Sequence, residues 1–188
     1  NLVSKTDEPN FQAVPDVVEL TMRDFWSARL KYDGTSCTMV MTLDGEFQVF
    51  SRNMRIREGS NNYWRIAEKY DVAKTLQPGS IVQMEIVGPG IQKNPMGLKE
   101  VEARVFNFFT EGIQRHYAGH TYMNIPEAAI VKGGHGQLTT EELWKLAEVR
   151  YDNGTIAEGI VIRPSFNFGR TPMGDPLSFK VINLLYGR

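Results

Sequence analysis

A single cysteine, Cys37, is all the thiol the chain holds, so no internal disulfide can form, and its Cys and His residues show no zinc-ligand spacing. A reducing, intracellular setting, the cytoplasm, is the expectation. Charge of neither sign is in excess: 21 Lys and Arg against 22 Asp and Glu leave a net charge of -1. That balance excludes a chain that holds polyanions by bulk charge, and any nucleic-acid surface must be local. No apolar run approaches the ~20 residues that span a bilayer, and no signal-peptide pattern is present, so neither insertion nor secretion is expected. Gly-x-Gly-x-x-Gly and Walker-type phosphate loops are missing too, so a bound nucleotide would be held by side chains. Repeats and low-complexity segments are absent. The chain begins at Asn1 without a methionine, which suggests a processed or excised piece. What is present, 188 residues of which 41% are hydrophobic, is enough for one substantial core, and one domain over residues 1–188 is the expectation.

Most of the chain reads as strands. Phe25 to Leu30 and Thr35 to Thr42 carry strand-forming side chains, and Lys31-Tyr32-Asp33-Gly34 sits where the two meet. Leu43-Asp44-Gly45-Glu46 reads as the hairpin turn into Phe47-Gln48-Val49-Phe50. From about Asn62 to about Lys74 the period becomes helical through Tyr63, Ile66, Ala67 and Tyr70, and Pro78-Gly79 stops it. Ser80 to Val87 is a strand ended by Gly88-Pro89-Gly90. Glu102 to Phe109 alternates, which puts Arg104, Phe106 and Phe108 on one face and Val105, Asn107 and Phe109 on the other. Gly133-Gly134-His135-Gly136 reads as a flexible connector. Thr139 and Glu142 sign a capping box for a helix through Arg150 that ends near Asn153-Gly154. Gly159 to Arg163 and Leu177 to Ile182 close the chain as strands, while residues 1–24 read as an entry segment of loops and short elements. Several strands with few helices between them predict an α+β domain on antiparallel sheets, not a doubly wound parallel sheet.

Five charged residues fall in or beside these strands: Lys31, Arg52, Glu85, Glu158 and Lys180. Charges are rarely buried in strands without partners, so opposite signs are expected to converge on one cleft. Lysine is useful as a nucleophile only when its amine is neutral, and a lysine fixed between two strands is held for such work. Arg52, Arg55 and Arg57 form a basic strip with only Glu58 nearby, suited to a nucleic-acid backbone. His116 and His120 lie four apart without a third ligand, and read as loop histidines rather than a metal pair.

Lys31-Tyr32-Asp33-Gly34, Ser51-Arg52-Asn53, Phe106-Asn107-Phe108, Glu158-Gly159-Ile160-Val161-Ile162-Arg163 and Ser178-Phe179-Lys180-Val181 occur in the order of signature motifs. In this the chain resembles the covalent nucleotidyltransferases: ATP- and NAD-dependent polynucleotide ligases and capping guanylyltransferases. Glu85 to Pro95, with Lys5-Thr6-Asp7-Glu8, is most similar to the ATP-dependent RNA ligases, in the branch where an OB-type domain can precede the catalytic one. The last motif departs from the family, which usually has two lysines separated by one residue; here Ser178 takes the first position.

The resemblance implies an ATP-grasp-like α+β domain of two antiparallel sheets with flanking helices, a nucleotide-binding cleft between the sheets and Lys31 at its floor, with the OB-type domain outside these residues. It implies a lysyl-AMP intermediate on Lys31, transfer of AMP to an RNA 5′-phosphate and sealing to a 3′-hydroxyl. Lys180 would contact the α-phosphate, and Arg52 the nucleotide and the RNA end. Glu85 would accept from ribose hydroxyls, and Phe106, with Phe108 as runner-up, would stack on adenine. Asp33, Glu85 and Glu158 would hold Mg2+ or Mn2+, through water or directly. RNA ends or a nicked duplex are the implied partners. A capping guanylyltransferase, a DNA ligase and a non-catalytic RNA-end or nucleotide-binding module are the alternatives.

Overall fold

The computed structural model describes residues 7–110, 113–115, 124–165, 171–174 and 176–188. His116, His120, Lys5 and Thr6 lie outside the described residues. Among those described, nine strands are formed: β1 (Phe25–Lys31), β2 (Thr35–Met41), β3 (Phe47–Phe50), β4 (Ser80–Val87), β5 (Glu102–Thr110), β6 (Ile113–Arg115), β7 (Ile130–His135), β8 (Gly159–Pro164) and β9 (Phe179–Ile182). The helices are α1 (Pro15–Thr21), α2 (Asn62–Lys69), α3 (Val72–Thr75) and α4 (Thr140–Leu146), with a 3-10 turn at Phe11–Ala13. The α+β class and the two antiparallel sheets expected from the sequence are both present.

The chain forms two compact units. Among the described residues one comprises Asp33–Glu127 and the other joins Asp7–Tyr32 to Ala128–Arg188, so the boundary falls inside the Lys31-Tyr32-Asp33-Gly34 motif.

The discontinuous unit is built on a sheet in the order β7-β1-β8-β9, every ladder antiparallel. Alternation explains its two faces: Trp26, Ala28, Ile160, Ile162, Phe179 and Val181 are buried in one hydrophobic cluster with Leu143 of α4 and Ala147, which caps its C-terminus. Burying each of the larger side chains stabilises the unit by about 1.5–3 kcal/mol. The glycine-rich run expected to be a connector is instead strand β7, paired along β1 from Phe25↔His135 to Ser27↔Gly133. Its composition has a steric cause. A Cβ on Gly134 would lie 2.2 Å from the Trp26 ring, and the Trp26 indole donates to the Gly136 carbonyl at 2.8 Å. Helix α4 carries the expected capping box of Thr139 and Glu142, but it stops at Leu146 rather than running on through Arg150. Val149 to Ala157 fold into a small hairpin around Gly154, whose φ of 85° suits the turn.

The continuous unit holds a sheet in the order β3-β2-β4-β5-β6, again antiparallel throughout. Cys37 and Met39 of β2 and Val82, Met84 and Ile86 of β4 meet Ile66 of α2 in its core. Asn61 caps α2 by accepting from the Trp64 amide at 3.0 Å. The single helix expected to about Lys74 is broken, because Asp71 takes a left-handed φ of 53° between α2 and α3. A bulge between Gln83 and Met84 makes Phe106 an extra residue in β5. Strict alternation fails there: Phe108 is 2% exposed and belongs to the core with Val105, whereas Asn107 donates its amide to the Gln83 side chain at 2.9 Å. Phe106 and Phe108 are therefore not equivalent, and Phe108 is core rather than a stacking surface.

Candidate active site

In the discontinuous unit, the sheet face opposite the apolar core carries the charge. Lys31 ends β1, and its amine lies 3.2 Å from the Glu158 carboxylate, both side chains about one quarter to one fifth exposed (24% and 20%). Arg29, Val161 and Lys180 stand in one row across β1, β8 and β9, and paired residues share a face, so Lys180 projects from the same face as Lys31. Two strand spacings and a two-residue step separate their Cα atoms by roughly 12 Å, within reach of two long side chains around one small anion. Lys31 pairs with Gly159, which has no side chain to fill the space beside it. That glycine is required: its φ is 151°, and a Cβ would lie 2.1 Å from the Val181 carbonyl oxygen.

One row further, Arg163 is 5% exposed and paired with the Glu8 carboxylate. Its Nε donates to Ser178 Oγ at 3.0 Å. Ser178, where the family usually has a lysine, is thus a buried acceptor for a neighbouring guanidinium. The amide of Lys180 donates to the Pro9 carbonyl at 2.9 Å, so the segment that carries Glu8 also fixes the strand that carries Lys180.

In the continuous unit, the turn into β2 is held from two directions. The Gly34 amide donates to Glu85 Oε1 at 3.1 Å, and the Gly34 carbonyl accepts from Gln92 Nε2 at 3.1 Å. Gln92 adopts a left-handed φ of 50°, a strain on the order of 1 kcal/mol, while it makes that contact. A cavity of about 530 Å³ lies beside the turn, lined by Thr35, Asn61, Asn62, Tyr63, Gly90 and Gln92 among others. Phe106 is half-buried at the bulge, and Arg52 is exposed in the turn after β3. The basic strip is less free than its sequence suggests, because Glu46 pairs with Arg55 at 2.7 Å. Among the described residues no group of three or more His, Cys, Asp or Glu side chains gathers as a metal-ligating cluster. Mg2+ needs no such cage, since it usually keeps several waters and one or two carboxylates, and partly exposed carboxylates such as Glu158 fit that mode.

The structure brings the Lys31 amine to the Glu158 carboxylate, puts Lys180 on the sheet face from which Lys31 projects, and joins the Glu85 side chain to the Gly34 amide that follows Asp33. Sequence reasoning missed the Arg163, Glu8 and Ser178 cluster, although Glu8 and Arg163 both lie in motifs it quoted. It also missed the Gln92 contact, for which the Gly-Pro-Gly-Ile-Gln run was the only signal.

Comparison with solved structures gives the class of fold. The chain matches the Naegleria gruberi RNA ligase with PPi at a TM-score of 0.82 and 23% identity, over 97% of this chain and 56% of that chain. Variants of that ligase match likewise: with ATP and Mn, TM-score 0.83 at 22% identity over 99% and 58%; with AMP and Mn, 0.82 at 22% over 97% and 56%. The chain therefore shares the fold of the matched part of that RNA ligase and spans somewhat over half the length of those proteins. The RNA ligase family model matches residues 24–182, and the chain belongs to the RNA ligase family. Compared by sequence with curated proteins, it matches none.

Proposed function

We propose that the chain is the adenylyltransferase part of an ATP-dependent RNA ligase with Lys31 as its nucleophile. The observation that carries this reading is Lys31 at a strand end, 3.2 Å from Glu158 and on one sheet face with Lys180, in a chain of the RNA ligase family. In the first step Lys31 Nζ attacks the α-phosphorus of ATP. The N–P bond forms, the bond to the bridging oxygen breaks, pyrophosphate leaves and the amine loses its proton to solvent. An oxygen of an RNA 5′-phosphate then attacks the same phosphorus and restores the amine, and a 3′-hydroxyl finally displaces AMP from the adenylated end. Charge builds on phosphate oxygens throughout, which suits Lys180 at the α-phosphate and Arg52 at the nucleotide and RNA end.

Glu85 is assigned to the ribose hydroxyls in addition to the Gly34 amide, and Phe106 to the adenine face. Asp33, Glu85 and Glu158 are the candidate carboxylates for Mg2+ or Mn2+ held through water, which would supply positive charge against the phosphates. The Naegleria gruberi ligase, solved with ATP and Mn, with AMP and Mn and with PPi, supports ATP and a divalent metal as the cofactors. Substrates are RNA ends or a nicked duplex, with an accessory OB-type domain supplying backbone contacts. Among the described residues no helix is long and apolar enough to cross a membrane, and the cytoplasm is the compartment proposed.

ATP radiolabelled at the α-phosphate, with a divalent metal, tests the reading. Wild type should take up covalent label, and Lys31→Ala and Lys31→Arg should not, since neither offers a neutral primary amine. Label that persists in either variant moves the nucleophile elsewhere, and labelling by GTP in place of ATP turns the reading toward a capping enzyme.

A further inference from the structure

Lys31 ends β1 and Glu158 immediately precedes β8, yet one hydroxyl reaches the backbone of both. Tyr151 is 3% exposed, and its hydroxyl donates to the Lys31 carbonyl at 3.0 Å. The Glu158 amide donates to the Tyr151 hydroxyl oxygen at 3.4 Å, the long end of hydrogen bonding. A buried tyrosine hydroxyl needs polar partners, and here they include the two residues whose side chains form the ion pair.

Local structure fixes where that hydroxyl sits. The hairpin around Gly154 closes through Tyr151 amide to Thr155 carbonyl at 2.9 Å and Gly154 amide to Tyr151 carbonyl at 2.8 Å. The Tyr151 ring stacks on Tyr32, the residue after the lysine, with centroids 5.8 Å apart and planes at 16°. The Tyr32 hydroxyl in turn accepts from the Ala129 amide at 3.2 Å. Packing alone would be served by phenylalanine.

We infer that Tyr151 is a positioning residue for the adenylation step, its hydroxyl setting the offset between the Lys31 and Glu158 backbones so that amine and carboxylate meet. The inference rests on the reading of Lys31 as nucleophile. It matters because a misplacement of about 1 Å can cost on the order of 100-fold in a reaction between held groups.

The variant that isolates the hydroxyl is Tyr151→Phe, which keeps the ring and its stack. The single-turnover rate of lysyl-AMP formation should fall about tenfold while the KM for ATP stays within about twofold, because orientation rather than binding is lost. Without ATP, acetic anhydride should modify Lys31 several times faster relative to Lys180, read by mass spectrometry of the folded protein. An unchanged rate with an unchanged Lys31 to Lys180 ratio would overturn the inference. So would a parallel rise at both lysines, which marks general loosening, or a change confined to KM. Should wild type take no label from ATP, the adenylyltransferase reading falls, and the acetylation ratio still decides whether Tyr151 fixes Lys31.

Discussion

Glu158 stands one residue before β8 and meets the amine at the end of β1, across a row in which the β8 member, Gly159, offers no side chain. Both charged side chains keep some solvent contact, so the pair contributes at most about 1 kcal/mol to stability. Its weight is expected in the chemistry. Glu158→Gln should leave thermal unfolding nearly unchanged and slow lysyl-AMP formation about 100-fold, the scale of losing one electrostatic element of a site. Wild-type labelling kinetics in the variant would sink this expectation.

Gly34 is hemmed in by backbone. A Cβ there would lie 2.1 Å from the Ile86 carbonyl oxygen and 2.9 Å from Val87 Cγ1, and only the second can shift cheaply. Gly34→Ala should therefore cost about 3 kcal/mol and disturb the turn held by Glu85 and Gln92. Denaturant titration reads the stability loss, and a variant as stable as wild type would show that β4 yields more readily than its pairing with β2 implies.

Cys37 is fully buried, and burial, with the Glu85 carboxylate adding to it, pushes its thiol far above the ordinary range. The thiolate is the reactive form, so Cys37 should resist disulfide-exchange reagents in the folded chain at mildly alkaline pH and react promptly in denaturant. Fast modification of native protein would contradict this.

At the start of α4, the Thr139 amide and hydroxyl hold the Glu142 carboxyl below its usual range. A depressed carboxylate stabilises the fold above its unfolded pKa, and that contribution is lost as pH falls through the folded value. The stability gap between wild type and Glu142→Ala should therefore be visible near neutrality and close under acid. Thr139→Ala should cost about 1 kcal/mol by removing the cap itself. Thermal melts across pH check both.

Local chemistry was legible in the sequence, and contacts between distant segments were not. Lys31, Asp44-Gly45 and the Thr139 capping box declare themselves within a few residues, and each sits where that signal puts it. Phe108 was misplaced because a bulge shifts every residue beyond it to the opposite face, and a period-two pattern carries no mark of the extra residue. The Gly133 to Gly136 run looked like a linker because glycine has two meanings, freedom and clearance. Only the Trp26 ring, more than 100 positions away in sequence, says which applies. Tyr151 on Lys31 and Arg163 on Glu8 span 120 and 155 residues, beyond what single-segment patterns can reveal.

The discontinuity of the unit that carries Lys31 sets an order on biosynthesis. Strand β1 leaves the ribosome before the 95 residues Asp33–Glu127, whereas its ladder partners β7 and β8 follow them. At roughly 5–20 residues per second, β1 waits about 5–20 s with Trp26 and Ala28 uncovered, while the continuous unit can already complete its own sheet. The nascent chain thus passes through a stage with one finished unit and one orphan strand, a client for chaperones that shield apolar edges. Pausing translation after Glu127 would capture that stage for protease protection mapping.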